Sequence, residues 1–172
     1  LNANIIKEPK NGAANACEDE RNIIFSGENF SYIFSKHYGM FTSIKTYGIE
    51  RILSKPKLTV WRPLTDNDRI ILQNKWRDRA HFDRVFTKIY ECRYEDDTIV
   101  ANGSLAGVSR VPFCRFTLKI TVENNGKVNF NLKSDLEDVS NTGFEDWIPR
   151  FGFEWELPSN ADKFMYYGSG PM

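Results

Sequence analysis

Residues 115–122 are Arg-Phe-Thr-Leu-Lys-Ile-Thr-Val, in which polar and apolar side chains alternate at every step. Successive side chains of a strand point to opposite faces, so this period of two predicts a β-strand with one buried face and one wet face. Residues 128–133 repeat the alternation, and Asn125-Gly126 between the two stretches tolerates the positive φ of a tight turn. The sequence therefore predicts an antiparallel hairpin here.

Further strands are predicted on both sides of this hairpin. Residues 151–157 alternate Phe151, Phe153, Trp155 and Leu157 with glycine and glutamate, which predicts an aromatic face directed inward. Less regular strands are predicted near 29–34, 41–46, 49–53, 58–62, 84–94, 97–106 and 163–167. Short strands joined by polar turns, without a strand-helix rhythm, predict an all-β antiparallel β-sandwich.

Two segments depart from the strand pattern. Residues 1–20 lack periodicity and predict a linker or arm, which leaves 21–172 as the β-sandwich domain segment. After Asp66-Asn67-Asp68, which could cap a helix, Leu72, Trp76 and Ala80 recur every four residues. We predict one short helix of about two to three turns, anchored by Trp76.

The composition excludes several classes of partner. The 172 residues include 41% hydrophobic residues, enough for one core, and 23 basic residues balance 23 acidic ones. Charge alone therefore predicts neither nucleic-acid nor membrane binding, and no apolar run approaches a membrane span. The odd set Cys17, Cys92 and Cys114 lacks CxxC spacing, which favours reduced thiols and a cytoplasmic location over disulfides or zinc.

An ordered series of motifs carries a family resemblance. Gly27-Glu28-Asn29-Phe30 is followed by Trp61-Arg62-Pro63-Leu64-Thr65-Asp66-Asn67-Asp68, then by residues 149–158, and finally by Tyr166-Tyr167-Gly168-Ser169-Gly170-Pro171. The Trp-Arg-x-x-Thr-Asp-Asn-Asp motif is the most specific of these. The series resembles the N-terminal part of the C-terminal (domain 5) sandwich of family 2 β-galactosidases, which also occurs as a separate small chain.

The resemblance implies a fold for this chain and places the catalytic residues of the enzyme in another domain. It implies a galactose mutarotase-like supersandwich, of which this chain is the first half, in an enzyme that hydrolyses terminal β-D-galactosides. The catalytic glutamates of the family lie on a separate (β/α)8 barrel, in the same chain or a large subunit, so the barrel is the expected partner. Galactoside binding is expected only in the whole enzyme, and any Mg²⁺ or Na⁺ only in its other domains.

The chain departs from the family pattern in two places. Arg69-Ile70-Ile71 stand where a glycine often follows the Thr-Asp-Asn-Asp motif, and the segment after Asp68 is shorter. The chain also stops where family members continue, so we expect it to be a truncated domain.

The candidate site residues are Trp61, Arg62, Asp66, Asn67 and Asp68, and two interpretations of them stay open. Asp and Asn at a strand-helix junction commonly cap the helix, whereas the resemblance implies a movable loop at the mouth of the sugar site. Trp61 and Arg62 could contact sugar, or form a core aromatic with an arginine that anchors Asp66 or Asp68.

The other polar residues favour no reaction in this chain. Retaining glycosidases need two carboxyl groups about 5 Å apart, and we expect no catalytic residue among these acids. His37 and His81 lack convincing ligand spacing, so no metal site is expected. The alternative function is a free-standing carbohydrate-binding or mutarotase-like sandwich, which would require an acid and a base in a concave face.

Overall fold

The computed structural model describes residues 12–137, 148–163 and 165. Within these residues, eleven strands form three antiparallel sheets. The strands are β1 (Asn15–Glu18), β2 (Asn22–Ser26), β3 (Phe30–Ser35), β4 (Met40–Thr46), β5 (Ile49–Glu50), β6 (Lys57–Thr59), β7 (Val85–Glu95), β8 (Thr98–Gly107), β9 (Pro112–Val122), β10 (Val128–Leu136) and β11 (Gly152–Glu154). The sheet orders are β1-β2-β3-β4-β5, β10-β9-β8-β7 and β11-β6.

The two large sheets pack through their inner faces, as the alternation predicts. Phe34 and Phe41 of the first sheet share one apolar cluster with Leu118 and Ile120 of the second. The ring of Phe41 meets Phe130 edge-on, with 6.2 Å between the ring centroids. Antiparallel sheets with buried inner faces of this kind form a β-sandwich, so the predicted fold class is confirmed.

The predicted hairpin is confirmed as β9 and β10. Val122 pairs with Val128, and Gly126 takes a φ of 86° in the connecting turn. The Tyr32 hydroxyl donates a hydrogen bond of 2.9 Å to the Gly126 carbonyl oxygen. This bond ties the turn of one sheet to β3 of the other.

The structure corrects the prediction at the N-terminal end. Residues 15–18, predicted to lie in an arm, form β1 and pair antiparallel with β2. Ala14 is buried and donates its amide to the Val122 carbonyl oxygen over 2.9 Å. The folded part therefore begins before Arg21, where the sequence predicted its start. The strand carried no signal in the sequence because backbone pairing at a sheet edge requires no apolar periodicity.

The C-terminal strand is shorter than predicted. Only Gly152–Glu154 pairs, with Lys57–Thr59, and of the four predicted inward side chains Phe153 alone packs against the core. Phe151, Trp155 and Leu157 are exposed. Of the strand predicted near 163–167, Lys163 and Met165 are not in a strand and the rest lies outside the described residues, as do Trp147 and the motif at 166–171.

The predicted helix is confirmed and is longer than expected. Its α-helical part, α1, spans Asp66–Leu72 and continues as a π-helical segment over Gln73–Arg79. Trp76 is fully buried and anchors this segment in the core, as predicted. Within the part of the chain that the structure describes, no helix is both long and apolar enough to cross a membrane.

Gly107 at the end of β8 allows the end of the π-helical segment to lie against the sheet. A Cβ at this position would overlap the Ala80 carbonyl oxygen and lie 2.9 Å from the His81 Cβ. Because backbone atoms cannot yield as a flexible side chain can, this contact requires glycine.

We predict that Gly107→Ala lowers the free energy of unfolding by about 1–3 kcal/mol, since helix and strand must separate to admit the methyl group. Urea denaturation monitored by tryptophan fluorescence measures the change. Gly152→Ala is the matched control, because a Cβ there meets nothing within 4 Å. Equal effects of the two substitutions would contradict the close approach.

Candidate functional site

The candidate residues meet where the segment after β6 enters α1, and an arginine-carboxylate pair holds this junction. Arg62 Nη1 donates to Asp68 Oδ2 over 2.5 Å, and Nη2 donates to Asp68 Oδ1 over 3.2 Å. The planar guanidinium thus contacts both carboxylate oxygens, the geometry that makes Arg-carboxylate pairs directional. The structure therefore contains the arginine-carboxylate anchor that one of the two sequence interpretations expected.

Asp68 also closes the N-terminal end of the helix. The Thr65 amide and the Thr65 hydroxyl each donate to Asp68 Oδ2 over 2.8 Å, while the Asp68 amide donates to Thr65 Oγ1. This reciprocal arrangement is a capping box, which satisfies backbone amides that have no partner inside the helix. The N-cap residue is Thr65, and of the predicted capping residues Asp66-Asn67-Asp68 only Asp68 takes part in the capping box.

The environment of Asp68 favours its charged form. The hydrogen bond from Arg62 is the largest cause, followed by those from the Thr65 amide and hydroxyl, and together they hold the pKa of Asp68 far below its usual value of 3.8. The same carboxylate raises the pKa of Arg62. Asp68 is only 7% exposed, and its carboxylate already accepts these hydrogen bonds. It is therefore poorly suited to accept a proton from a substrate.

Two tryptophans flank the pair in different ways. The Arg62 guanidinium carbon lies 5.4 Å from the centroid of the buried Trp76 ring, which places the cation over an aromatic face. Trp61 is half-buried and packs against the core cluster. Trp76 therefore fixes Arg62 from the core, while part of Trp61 remains exposed beside it.

Asp66 and Asn67 do not join this cluster. The Asp66 side chain is 99% exposed and lies 3.9 Å from Arg69, and Asn67 is also exposed. The structure therefore separates the five candidates into a paired anchor (Arg62 and Asp68), an exposed pair on the first turn of the helix (Asp66 and Asn67), and the half-buried Trp61. Arg69–Ile71 lie inside α1, so a capped helix occupies the segment where the resemblance implied a movable loop.

Sequence reasoning missed the roles of Thr65 and Trp76 at this site. The Thr-x-x-Asp spacing of Thr65 and Asp68 is a recognisable capping-box signal. The contact of Trp76 with Arg62 joins residues 14 positions apart and has no local signal.

The remaining candidates from the sequence lie apart from this junction. His37 packs edge-on against Tyr38, and the His81 Nδ1 lies 2.6 Å from the Val108 carbonyl oxygen. Among residues 12–137 and 148–163, no group of three or more His, Cys, Asp or Glu side chains could hold a metal ion. The three cysteines are free, and burial raises the pKa of the Cys92 and Cys114 thiols to about 11.

Comparisons with known proteins point to one family. The family model described as "Beta galactosidase small chain" matches residues 26–172. Proteins named β-galactosidase from Lactobacillus delbrueckii subsp. bulgaricus, Streptococcus thermophilus and Halalkalibacterium halodurans are 27%, 28% and 40% identical over 93%, 94% and 93% of this chain. The chain spans only 16%, 15% and 16% of these three relatives.

We predict that Asp68→Asn lowers the thermal midpoint of the chain, because it leaves the partly buried Arg62 without its charged partner. The pKa of Asp68 is lower in the folded state than in the unfolded state. The stability that the charged Asp68 contributes is therefore present above its unfolded-state pKa and is lost as the pH falls through its folded-state pKa. The difference in midpoint from wild type should thus be constant above about pH 5 and shrink below about pH 4.

Thermal unfolding followed by circular dichroism between pH 3 and 8 measures this dependence. Asp66→Asn is the matched control, because it removes a carboxylate from the same helix turn whose side chain is almost fully exposed. A midpoint for Asp68→Asn that equals that of Asp66→Asn at neutral pH would contradict the anchoring role.

Proposed function

The chain belongs to the β-galactosidase small-chain family, whose model matches residues 26–172, and on this premise we propose that it is a non-catalytic sandwich domain of a β-galactosidase. In this proposal the whole enzyme hydrolyses terminal β-D-galactosides. The sandwich packs on the catalytic barrel and helps to shape the sugar site. The observation that carries the proposal is that the chain matches β-galactosidases over nearly its whole length while spanning about one sixth of theirs.

The environments of the acidic side chains support a non-catalytic role. Asp68 is fully engaged by Arg62 and Thr65, Glu154 pairs with Lys57 over 2.9 Å, and Glu137 pairs with Arg115 over 2.7 Å. A general acid for glycoside cleavage needs a raised pKa, whereas the hydrogen bonds from Arg62 and Thr65 lower the pKa of Asp68. Glu95 is the exposed last residue of β7, and Asp96 and Asp97 form the exposed turn that leads to β8.

The exposed pair at the start of α1 supports a part in the sugar site. The partly buried Arg62–Asp68 pair holds the first turn of the helix, and Asp66 and Asn67 present carboxylate and amide groups to solvent from it. Sugar hydroxyls are bound by such groups when a rigid element holds them in place. We therefore assign Asp66 and Asn67 to the rim of the sugar site in the whole enzyme, together with the half-buried Trp61.

The proposal assigns no cofactor to this chain and leaves any Mg²⁺ or Na⁺ to the other domains of the enzyme. It places the enzyme in the cytoplasm. The three free cysteines support that location, since two of them are held as neutral thiols by burial.

We predict that the purified chain does not hydrolyse p-nitrophenyl β-galactoside, whereas the full-length enzyme that contains it does. Calorimetric titration with galactose and lactose is expected to detect no millimolar binding by the chain alone. Turnover that co-purifies with the chain and disappears on substitution of one of its own acids would refute the non-catalytic role. Millimolar or tighter binding by the chain alone would instead support a free-standing carbohydrate-binding module.

We predict that Asp66→Ala combined with Asn67→Ala in the full-length enzyme raises KM several-fold, because sugar hydroxyls lose hydrogen-bond partners. The free energy of unfolding should change by less than about 1 kcal/mol, since both side chains are exposed. Steady-state kinetics with lactose and urea denaturation measure the two effects. Asp135→Ala, an exposed residue on β10, is the control, and an unchanged KM in the double variant would remove these residues from the rim.

A further inference from the structure

A cleft opens between the β6 region and the start of β7, away from the Arg62–Asp68 junction. Residues Lys55–Leu58 form one side and Val85–Thr87 form the other. Met40, Phe116 and Leu118 of the sandwich core line it as well. We call this feature the β6–β7 cleft, and its volume is about 300 Å³.

Aromatic side chains with large exposed fractions line the cleft. Tyr38 is 48% exposed and Phe86 is 45% exposed, whereas the aromatic side chains of the core are almost fully buried. Water in contact with these rings and with the apolar core residues is unfavourable, by roughly 25 cal/mol for each Å² of apolar surface. An apolar group that displaced this water would therefore bind favourably.

The charges around the cleft have one sign. The Lys55 ammonium lies 4.6 Å from the centroid of the Tyr38 ring, and Lys57 is the other charged residue that lines the cleft. Lys57 already pairs with Glu154 over 2.9 Å, whereas the contact recorded for Lys55 is with an uncharged ring. A carboxylate placed beside Tyr38 would complement Lys55.

The size of the cleft and the length of the relatives indicate what fills it. A volume of about 300 Å³ lies at the lower limit for small-molecule pockets and suits a large apolar side chain. The chain spans 15–16% of four of its relatives, so most of each related polypeptide lies outside the matched segment. Buried aromatic and aliphatic anchors of this kind supply most of the stability of protein interfaces.

We propose that the β6–β7 cleft is a docking site for an apolar side chain, flanked by a carboxylate, from the remaining polypeptide of the same enzyme. The side chain enters between Tyr38 and Phe86, and the carboxylate pairs with Lys55. This inference rests on the proposed function, since it names the surface through which the sandwich is held to the rest of the enzyme.

Lysine labelling tests whether the cleft is covered. The rate of Lys55 acetylation by acetic anhydride is measured by mass spectrometry in the isolated chain and in the full-length enzyme. We expect the rate to be at least about tenfold lower in the full-length enzyme, as for an ammonium buried in an interface. An unchanged rate in an enzyme that hydrolyses galactosides would overturn the docking site and leave the proposed function intact.

Substitutions test the two parts of the occupant. Phe86→Ala and Lys55→Met should leave the urea midpoint of the isolated chain nearly unchanged, because both side chains are exposed there. In the full-length enzyme each should lower the urea concentration at which activity is lost, and Lys55→Arg should restore it by keeping the charge. Leu136→Ala, which removes a similarly exposed side chain from the end of β10, is the matched control.

A small-molecule probe tests the alternative occupant. Sodium 4-phenylbutyrate combines an aromatic ring with a carboxylate and should bind the cleft of the isolated chain, as measured by shifts of the Phe86 and Tyr38 NMR signals. In the full-length enzyme the probe should not shift these signals, because a side chain of the enzyme itself already fills the cleft. Equal binding to both would show an open small-molecule site and overturn the proposal.

Discussion

The packing of the two large sheets through their inner faces is the constraint on which the rest of the structure depends. Phe34, Phe41, Leu118 and Ile120 are almost fully buried, and each such side chain contributes roughly 1.5–3 kcal/mol when it leaves water. Because side chains alternate along a strand, a slip of one residue would expose a whole apolar face. The core therefore sets the register of β3, β4, β8 and β9 together.

Trp76 links the candidate site to this core. Trp76 belongs to the buried cluster, and its ring faces the Arg62 guanidinium. Arg62 in turn holds the buried Asp68, whose charge would be costly without a partner. The position of the first helical turn thus depends on the sandwich core. A site that uses Asp66 and Asn67 is therefore held in place by the packed sheets.

The alternating pattern predicted most of the sandwich, and the exceptions have physical reasons. β1 was missed because Asn15–Glu18 are all exposed and join the sheet through their backbone. The strand predicted over 151–157 is shorter because Phe151, Trp155 and Leu157 stay exposed, and only Gly152–Glu154 form β11. The spacing of Leu72, Trp76 and Ala80 does not distinguish a π-helix from an α-helix. The π-helical continuation of α1 was therefore not predictable from it.

The site was predictable as a set of residues but not as an arrangement. The motif at 61–68 identified the junction, and pairing of Arg62 with a nearby acid follows from ordinary charge chemistry. That Asp68 turns inward while Asp66 points to solvent depends on the helix that begins at Asp66, and so on the Thr65 cap.

The capped helix changes what this junction can do in an enzyme. A gate that swings over bound sugar must exchange between two arrangements at low cost. Here such a movement would break the Arg62–Asp68 pair and open the capping box, and it would leave the buried Asp68 without its charged partner, which is unfavourable. The Arg62–Asp68 pair and the capping box therefore hold Asp66 and Asn67 on a fixed first turn of the helix.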